Sequence, residues 1–73
     1  MAVQATDPAA EARKAVVRRD WAVAAHLLRE AITRDPDNLA LHYTLAVCAT
    51  ELDSHDEAMR EFQWVLAHGP VDS

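Results

Sequence analysis

An all-α fold built from two antiparallel helix-turn-helix hairpins is what this sequence predicts, and three observations carry the prediction. The helix-then-proline stretch from Trp21 to Pro36 returns further along the chain as His55 to Pro70. Hydrophobic residues make up 51% of the chain, yet aromatics are 5% and there is one glycine, so alanine-rich helices fit better than sheets. Polar capping residues stand ahead of each apolar run, and a proline follows the second helix of each copy.

The elements can be taken in order. Residues 1–6 lack periodicity and read as a short frayed lead-in. Asp7-Pro8 opens the first helix, about 8–18, because Asp accepts from free amides at the N-cap and Pro fits the first helical position. Glu11 favours the dipole of that turn. Ala12, Ala15 and Val16 form a narrow apolar stripe that lets a neighbour approach closely. Arg18-Arg19-Asp20 is a break, with Asp20 as the next N-cap. The second helix, about 21–33, carries Trp21, Ala24, Ala25, Leu28, Ala31 and Ile32 at three- and four-residue spacings. Glu30 and Arg34 stand as an i,i+4 pair on its other side.

Pro36 ends that helix and Asn38 caps the third, about 39–51. Leu41, Leu45, Ala46, Ala49 and Leu52 face one way, and Tyr43, Val47 and Thr50 another, which makes this helix central. Ser54-His55-Asp56-Glu57 matches the capping box. The fourth helix, about 55–67, carries Ala58, Met59, Phe62, Val65 and Leu66 inward, with Gly69 as a left-handed stop before Pro70.

At 73 residues the chain has room for a single domain, with repeat one at about 5–38 and repeat two at about 39–70, and its stability margin is thin. Seven basic against twelve acidic side chains give a net charge of −5, which argues against nucleic acid. The charge is segregated. Residues 1–34 hold six basic and four acidic groups (+2), and residues 35–73 one basic and eight acidic (−7), so the two ends suit complementary surfaces, a head-to-tail copy among them. The lone Cys48 cannot form an internal disulfide, no secretory signal opens the chain, and no apolar run spans a bilayer; a cytoplasmic protein without membrane contact is expected.

Laying the second stretch on the first sets Ala46 on Ala12, Ala49 on Ala15, Ala58 on Ala24 and Pro70 on Pro36. Phe62 meets Leu28, Val65 meets Ala31, Leu66 meets Ile32 and Ser54 meets Asp20. These units resemble the tetratricopeptide repeat family, whose signature runs W-x2-L-G-x2-Y, then A-x3-F, then P, over roughly the same repeat length. Leu45, Ala46, Ala58, Phe62 and Pro70 fill that pattern in the second unit; Ala12, Ala24, Leu28 and Pro36 do so in the first, with Trp21 at a frequently aromatic position. Pro8 and His42 replace the early Trp, Glu11 the Leu, and Ala15 and Ala49 the Tyr.

The resemblance implies a short right-handed α-solenoid whose first helices line a groove for a protein or peptide partner, acting as a scaffold or adaptor. That groove would show Ala9, Arg13 and Val16 from the first unit and Tyr43, Val47, Thr50 and Glu51 from the second. Relatives that clamp a terminal carboxylate use Lys and Asn there; this chain has Ala9, Arg13 and Thr44, so a clamp is not implied.

Tyr43 reads either as an anchor for a bound peptide or as groove wall. Trp64 lies off the stripe of Phe62, Val65 and Leu66, as a surface aromatic, a lid or an interface residue. Cys48, among apolar neighbours, reads as a buried structural thiol. His26, His42, His55 and His68 lack the three- or four-residue spacing of helical metal ligands, so no metal site is assigned. The basic cluster Arg13, Lys14, Arg18 and Arg19 has no interleaved aromatics and reads as a solvated or acid-facing surface. No Ser/His/Asp grouping, phosphate loop or Cys-x-x-Cys occurs, so no catalytic residue or cofactor is assigned. With few residues after Pro70 to cover the last helix, Met59, Trp64 and Leu66 are expected to form a face for a second chain, as in a homo-oligomer.

Overall fold

The structure, a computed structural model, describes residues 7–69. Four helices follow one another: α1 (Pro8–Val17), α2 (Trp21–Arg34), α3 (Leu39–Glu51) and α4 (His55–His68). No strand occurs among the described residues, and the fold is the expected all-α arrangement of helical hairpins. The lead-in at residues 1–6 and the Pro70 stop lie outside the described residues.

Local chemistry sets most boundaries. The Asp7 carboxylate accepts from Ala9 N–H at 3.1 Å and the Asn38 side chain from Leu41 N–H at 3.3 Å, each satisfying an amide that a helix start leaves free. Both hairpin turns are built alike. Arg19 (φ 62°) and Asp53 (φ 61°) take the left-handed conformation at matching positions of the two units. In the first turn Asp20 N–H donates to Ala15 O at 2.8 Å and Arg19 N–H to Val16 O at 2.9 Å. In the second, Ser54 N–H donates to Ala49 O at 2.8 Å and Asp53 N–H to Thr50 O at 3.1 Å. Each is a Schellman closure, and its recurrence at the repeat spacing ties the sequence duplication to backbone geometry.

Three local expectations are corrected. Gly69 is extended (φ −70°, ψ 168°) rather than left-handed, and α4 ends on the Gly69 N–H to Val65 O bond at 2.7 Å. Asp20 holds the N-cap position of α2 as expected, though without a side-chain bond. Glu30 lies 3.4 Å from His26 Nε2, back along the helix, instead of pairing forward with Arg34. The Ser54–Glu57 capping box does not form. The Glu57 carboxylate is instead engaged by Arg29 of α2, whose Nε and Nη2 donate to its two oxygens at 2.8 and 2.7 Å. A charged two-point contact outcompetes a single neutral backbone bond.

The bonds from Arg29, more than its charge, hold the Glu57 carboxyl below the usual carboxylate range, against the opposing pull of burial. A carboxyl with its folded value lowered stabilises the fold above its ordinary value of about 4.5 and loses that contribution as acid takes the pH down through the folded value. With Arg29 half exposed, the coupling in an Arg29→Ala/Glu57→Gln double-mutant cycle should be about 1 kcal/mol at neutral pH. Thermal melts should show the gap between the parent and Glu57→Gln narrowing below about pH 4.5; a gap unchanged in acid would refute the assignment.

The core is small-residue packing around a few leucines. Ala12 and Ala15 of α1, Ala24, Ala25, Leu28 and Ala31 of α2, and Leu41, Leu45 and Cys48 of α3 form one buried cluster, with Ala9, Val16, Trp21, Leu27 and Ile32 against it. Leu28, Leu45 and Cys48 are the largest side chains fully enclosed. Alanine at so many contact points lets helix axes close up. α1 packs on α2, α2 on α3, and α3 on α4, so α3 is flanked on two sides as its two occupied faces suggest.

The inward stripe expected for α4 is corrected too. Of its five residues only Ala58 is buried; Phe62 and Val65 are half-buried, and Met59 and Leu66 are 57% and 84% exposed. Among the described residues α4 has one helix packed along it where α2 has two, which leaves Met59 and Leu66 uncovered.

Candidate interaction surface

The sequence-predicted residues fall into two sets. The first lies on α1 and α3, the leading helices of the two hairpins, which do not pack closely on one another. On α1, Ala9 and Val16 are half-buried against the core while Arg13 is exposed. On α3, Tyr43 is 53% exposed, Val47 is half-buried, and Thr50 and Glu51 are exposed. The Thr50 hydroxyl donates to Ala46 O at 2.9 Å, one turn back on its own helix. Tyr43 meets Phe62 of α4 edge-on, ring centroids 6.0 Å apart, which steadies the ring while leaving its other side open.

The second lies on the outer side of α4. Met59 and Leu66, two turns apart, share one open stripe with the half-buried edge of Phe62. Trp64, expected to join them, points elsewhere. Its indole is half-buried between two imidazoles, stacked on His42 at 3.7 Å and on His68 at 4.0 Å, with interplanar angles of 12° and 15°. Trp64 is therefore part of the α3–α4 seam. His68 Nδ1 donates to Trp64 O at 2.9 Å, holding the outer ring in place.

His42 is the residue that sequence reasoning missed. It is 6% exposed. Its Nε2 donates to Pro36 O at 2.7 Å, and its Nδ1 stands 2.6 Å from Glu61 Oε1 of α4. A carbonyl only accepts, so Nε2 carries a hydrogen, and one proton is shared between Nδ1 and the carboxylate. The one ring thus joins the α2–α3 loop, α3 and α4. A signal was available: His42 occupies the slot at which the repeat signature has Trp, and an imidazole, like an indole, is a planar ring that can stack.

Burial, and secondarily the charge of Glu51, pushes the Cys48 thiol up, away from the thiolate a nucleophile needs. Among the described residues no three His, Cys, Asp or Glu side chains converge as a metal site, no pocket opens, and no helix is long and apolar enough to cross a membrane. Both sets of residues are open to solvent in part and mix apolar with charged side chains.

Comparison with known proteins agrees with this architecture. The family model described as tetratricopeptide repeat matches residues 18–73. No curated protein and no solved structure matches. The matched stretch takes in α2, α3 and α4 and starts after α1, the helix whose Glu11 and Ala15 depart most from the family signature. Proteins of this family generally mediate contacts between proteins. The recurrent Schellman turns, the alanine-lined hairpins and a match over most of its length establish that the chain belongs to the tetratricopeptide repeat family.

Proposed function

We propose that this protein is a non-catalytic adaptor or scaffold module that holds a peptide segment or helix of a partner protein against the leading-helix face of Ala9, Arg13, Val16, Tyr43, Val47, Thr50 and Glu51. The supporting observation is Tyr43: a ring 53% exposed, steadied by Phe62 and bordered by half-buried Val47, is the kind of amphipathic anchor around which interface energy concentrates. Arg13 supplies a cation on the neighbouring leading helix, giving the surface a means of selecting acidic or carbonyl-rich segments. The partner is a protein, and the unpaired Cys48 suits the reducing cytoplasm.

Capture of a cellular partner by the tagged protein, read by mass spectrometry, tests this. Tyr43→Ala and Arg13→Glu should each reduce capture by about tenfold with helicity unchanged, since loss of an interface anchor costs roughly 1–2 kcal/mol or more. Capture indifferent to both would remove the leading-helix face from consideration. A second reading, self-assembly into a homo-oligomer, draws on the open Met59 and Leu66 of α4, and light scattering that shows a concentration-dependent rise in mass would favour it.

A further inference from the structure

The duplication supplies an internal control for the outer face of α4. Moving α4 back by one repeat places Met59, Phe62, Val65 and Leu66 on Ala25, Leu28, Ala31 and Ile32 of α2. Ala25, Leu28 and Ala31 are 1%, 2% and 3% exposed. α2 and α4 each have the first helix of their own hairpin beside them, so the difference in burial is what α3 adds on the far side of α2. α3 adds it with Leu41, Leu45 and Cys48, a stripe at i, i+4 and i+7 within the buried cluster, and Leu52, 38% exposed at the helix end, continues the same row at i+11. The chemistry of a helix that fits α4 is thereby written within the chain.

A second copy of this chain does not carry that chemistry on its own first helix. The positions of the first unit matching Leu41, Leu45, Cys48 and Leu52 are Asp7, Glu11, Lys14 and Arg18, all polar, with Lys14 Nζ and Glu11 paired at 3.3 Å. Burying that row against Met59 and Leu66 would strip water from charges and return no apolar contact. Charge then adds a direction. The end of α4 that follows the hairpin turn is acidic, with Glu51, Asp53 and Asp56 all exposed, and Arg60 is the only Lys or Arg on the helix. α3 reaches α2 through a short loop and so runs back along it; a helix seated on α4 in the same manner places its C-terminal turn beside those carboxylates.

We propose that the outer face of α4, centred on Met59, Phe62 and Leu66, docks an amphipathic helix of a partner protein that carries bulky aliphatic residues at i, i+4, i+7 and i+11 and Lys or Arg in its last turn. The apolar stripe repeats what α3 does for α2. The terminal cations meet Glu51, Asp53 and Asp56, and they also favour the C-terminal end of their own helix dipole.

This deepens the reading as a binding module but is tested apart from it, on purified protein and with a substitution on α4. The probe is a dye-labelled helical peptide of about 18 residues with leucines at the four stripe positions, lysines in the last turn and alanine or glutamine elsewhere. Fluorescence polarisation should show saturable binding, weakened about tenfold or more by Leu66→Glu, a change at an 84% exposed site, and left unchanged by Arg13→Glu, which touches no residue of α4. A peptide with glutamates in the last turn should bind several-fold more weakly, and the difference should shrink with added salt. Absence of binding, equal binding of a peptide with its leucines dispersed around the helix, indifference to Leu66→Glu, or equal affinity for the lysine and glutamate peptides would each overturn the proposal. So would self-association of the pure protein abolished by Leu66→Glu, which would give the face to a second copy. Peptide binding together with capture indifferent to Tyr43→Ala and Arg13→Glu would keep this inference and discard the leading-helix groove.

Discussion

Replacing His42 with alanine is expected to cost about 3 kcal/mol of folding stability, a large share of the total for a chain of 73 residues, for which roughly 4–11 kcal/mol is ordinary. Three losses combine. The cavity left by a nearly enclosed ring costs as an aliphatic truncation would. Pro36 O and Glu61 Oε1, 2.7 and 2.6 Å from the ring nitrogens, lose their partner, and a partly buried carboxylate without a donor is the more expensive of the two. Trp64 loses the imidazole stacked 3.7 Å from it. At roughly 4–8 °C per kcal/mol for a domain of this size, the melting point should fall by about 12–24 °C. Circular dichroism melts measure the fall, and Trp64 emission should shift to the red as its inner face opens. His42→Gln, which can still reach one acceptor but cannot stack, should lie between. Removing Glu61 as well should add less than it costs alone, since the stranded carboxylate goes with it. A loss under about 1 kcal/mol for His42→Ala would mean that the seam between α3 and α4 is held by something other than this ring.

That seam is also where the sequence was least legible. Asp7, Asn38 and the breaks at Arg18–Asp20 and Leu52–Ser54 act within a few residues of themselves, so helix boundaries could be read to within a residue or so. The repeat made the hairpins readable, because register shared by two copies averages out the noise of single positions. His42 is different: its partners Glu61 and Trp64 belong to the following helix and reach it only through packing. Glu57 failed as a capping residue for the same reason, being taken by Arg29 from the other hairpin. The outer face of α4 was misread on a different ground. Periodicity places Met59 and Leu66 on an apolar stripe, but periodicity cannot say whether a neighbour exists to cover that stripe. The segregated charge and the polar row of α1 were both in the sequence; what they signify emerged only when α3 on α2 showed which rows of a leading helix do the covering.

Exchanging the matched residues of the two second helices should show this asymmetry directly. Ala25→Met is expected to destabilise the protein by about 2–3 kcal/mol, because a longer side chain enters a site 1% exposed where Leu28, Leu45 and Cys48 already fill the space between helices. Met59→Ala, the reverse change at the matching position of the second unit, should stay within about 0.5 kcal/mol, since the side chain is 57% exposed and leaves little cavity behind. Denaturant titration of both variants measures the difference as a shift in midpoint with the slope preserved. Equal costs would mean that α4 is packed as tightly as α2, and the open face would vanish with its proposed occupant. With the expected inequality, Met59→Ala becomes a stability-neutral variant, so any binding it loses reports contact with a partner and not damage to the fold. A helix that stabilises its own protein little through Met59 and Leu66, while leaving both in water, is one whose apolar surface is available to another molecule.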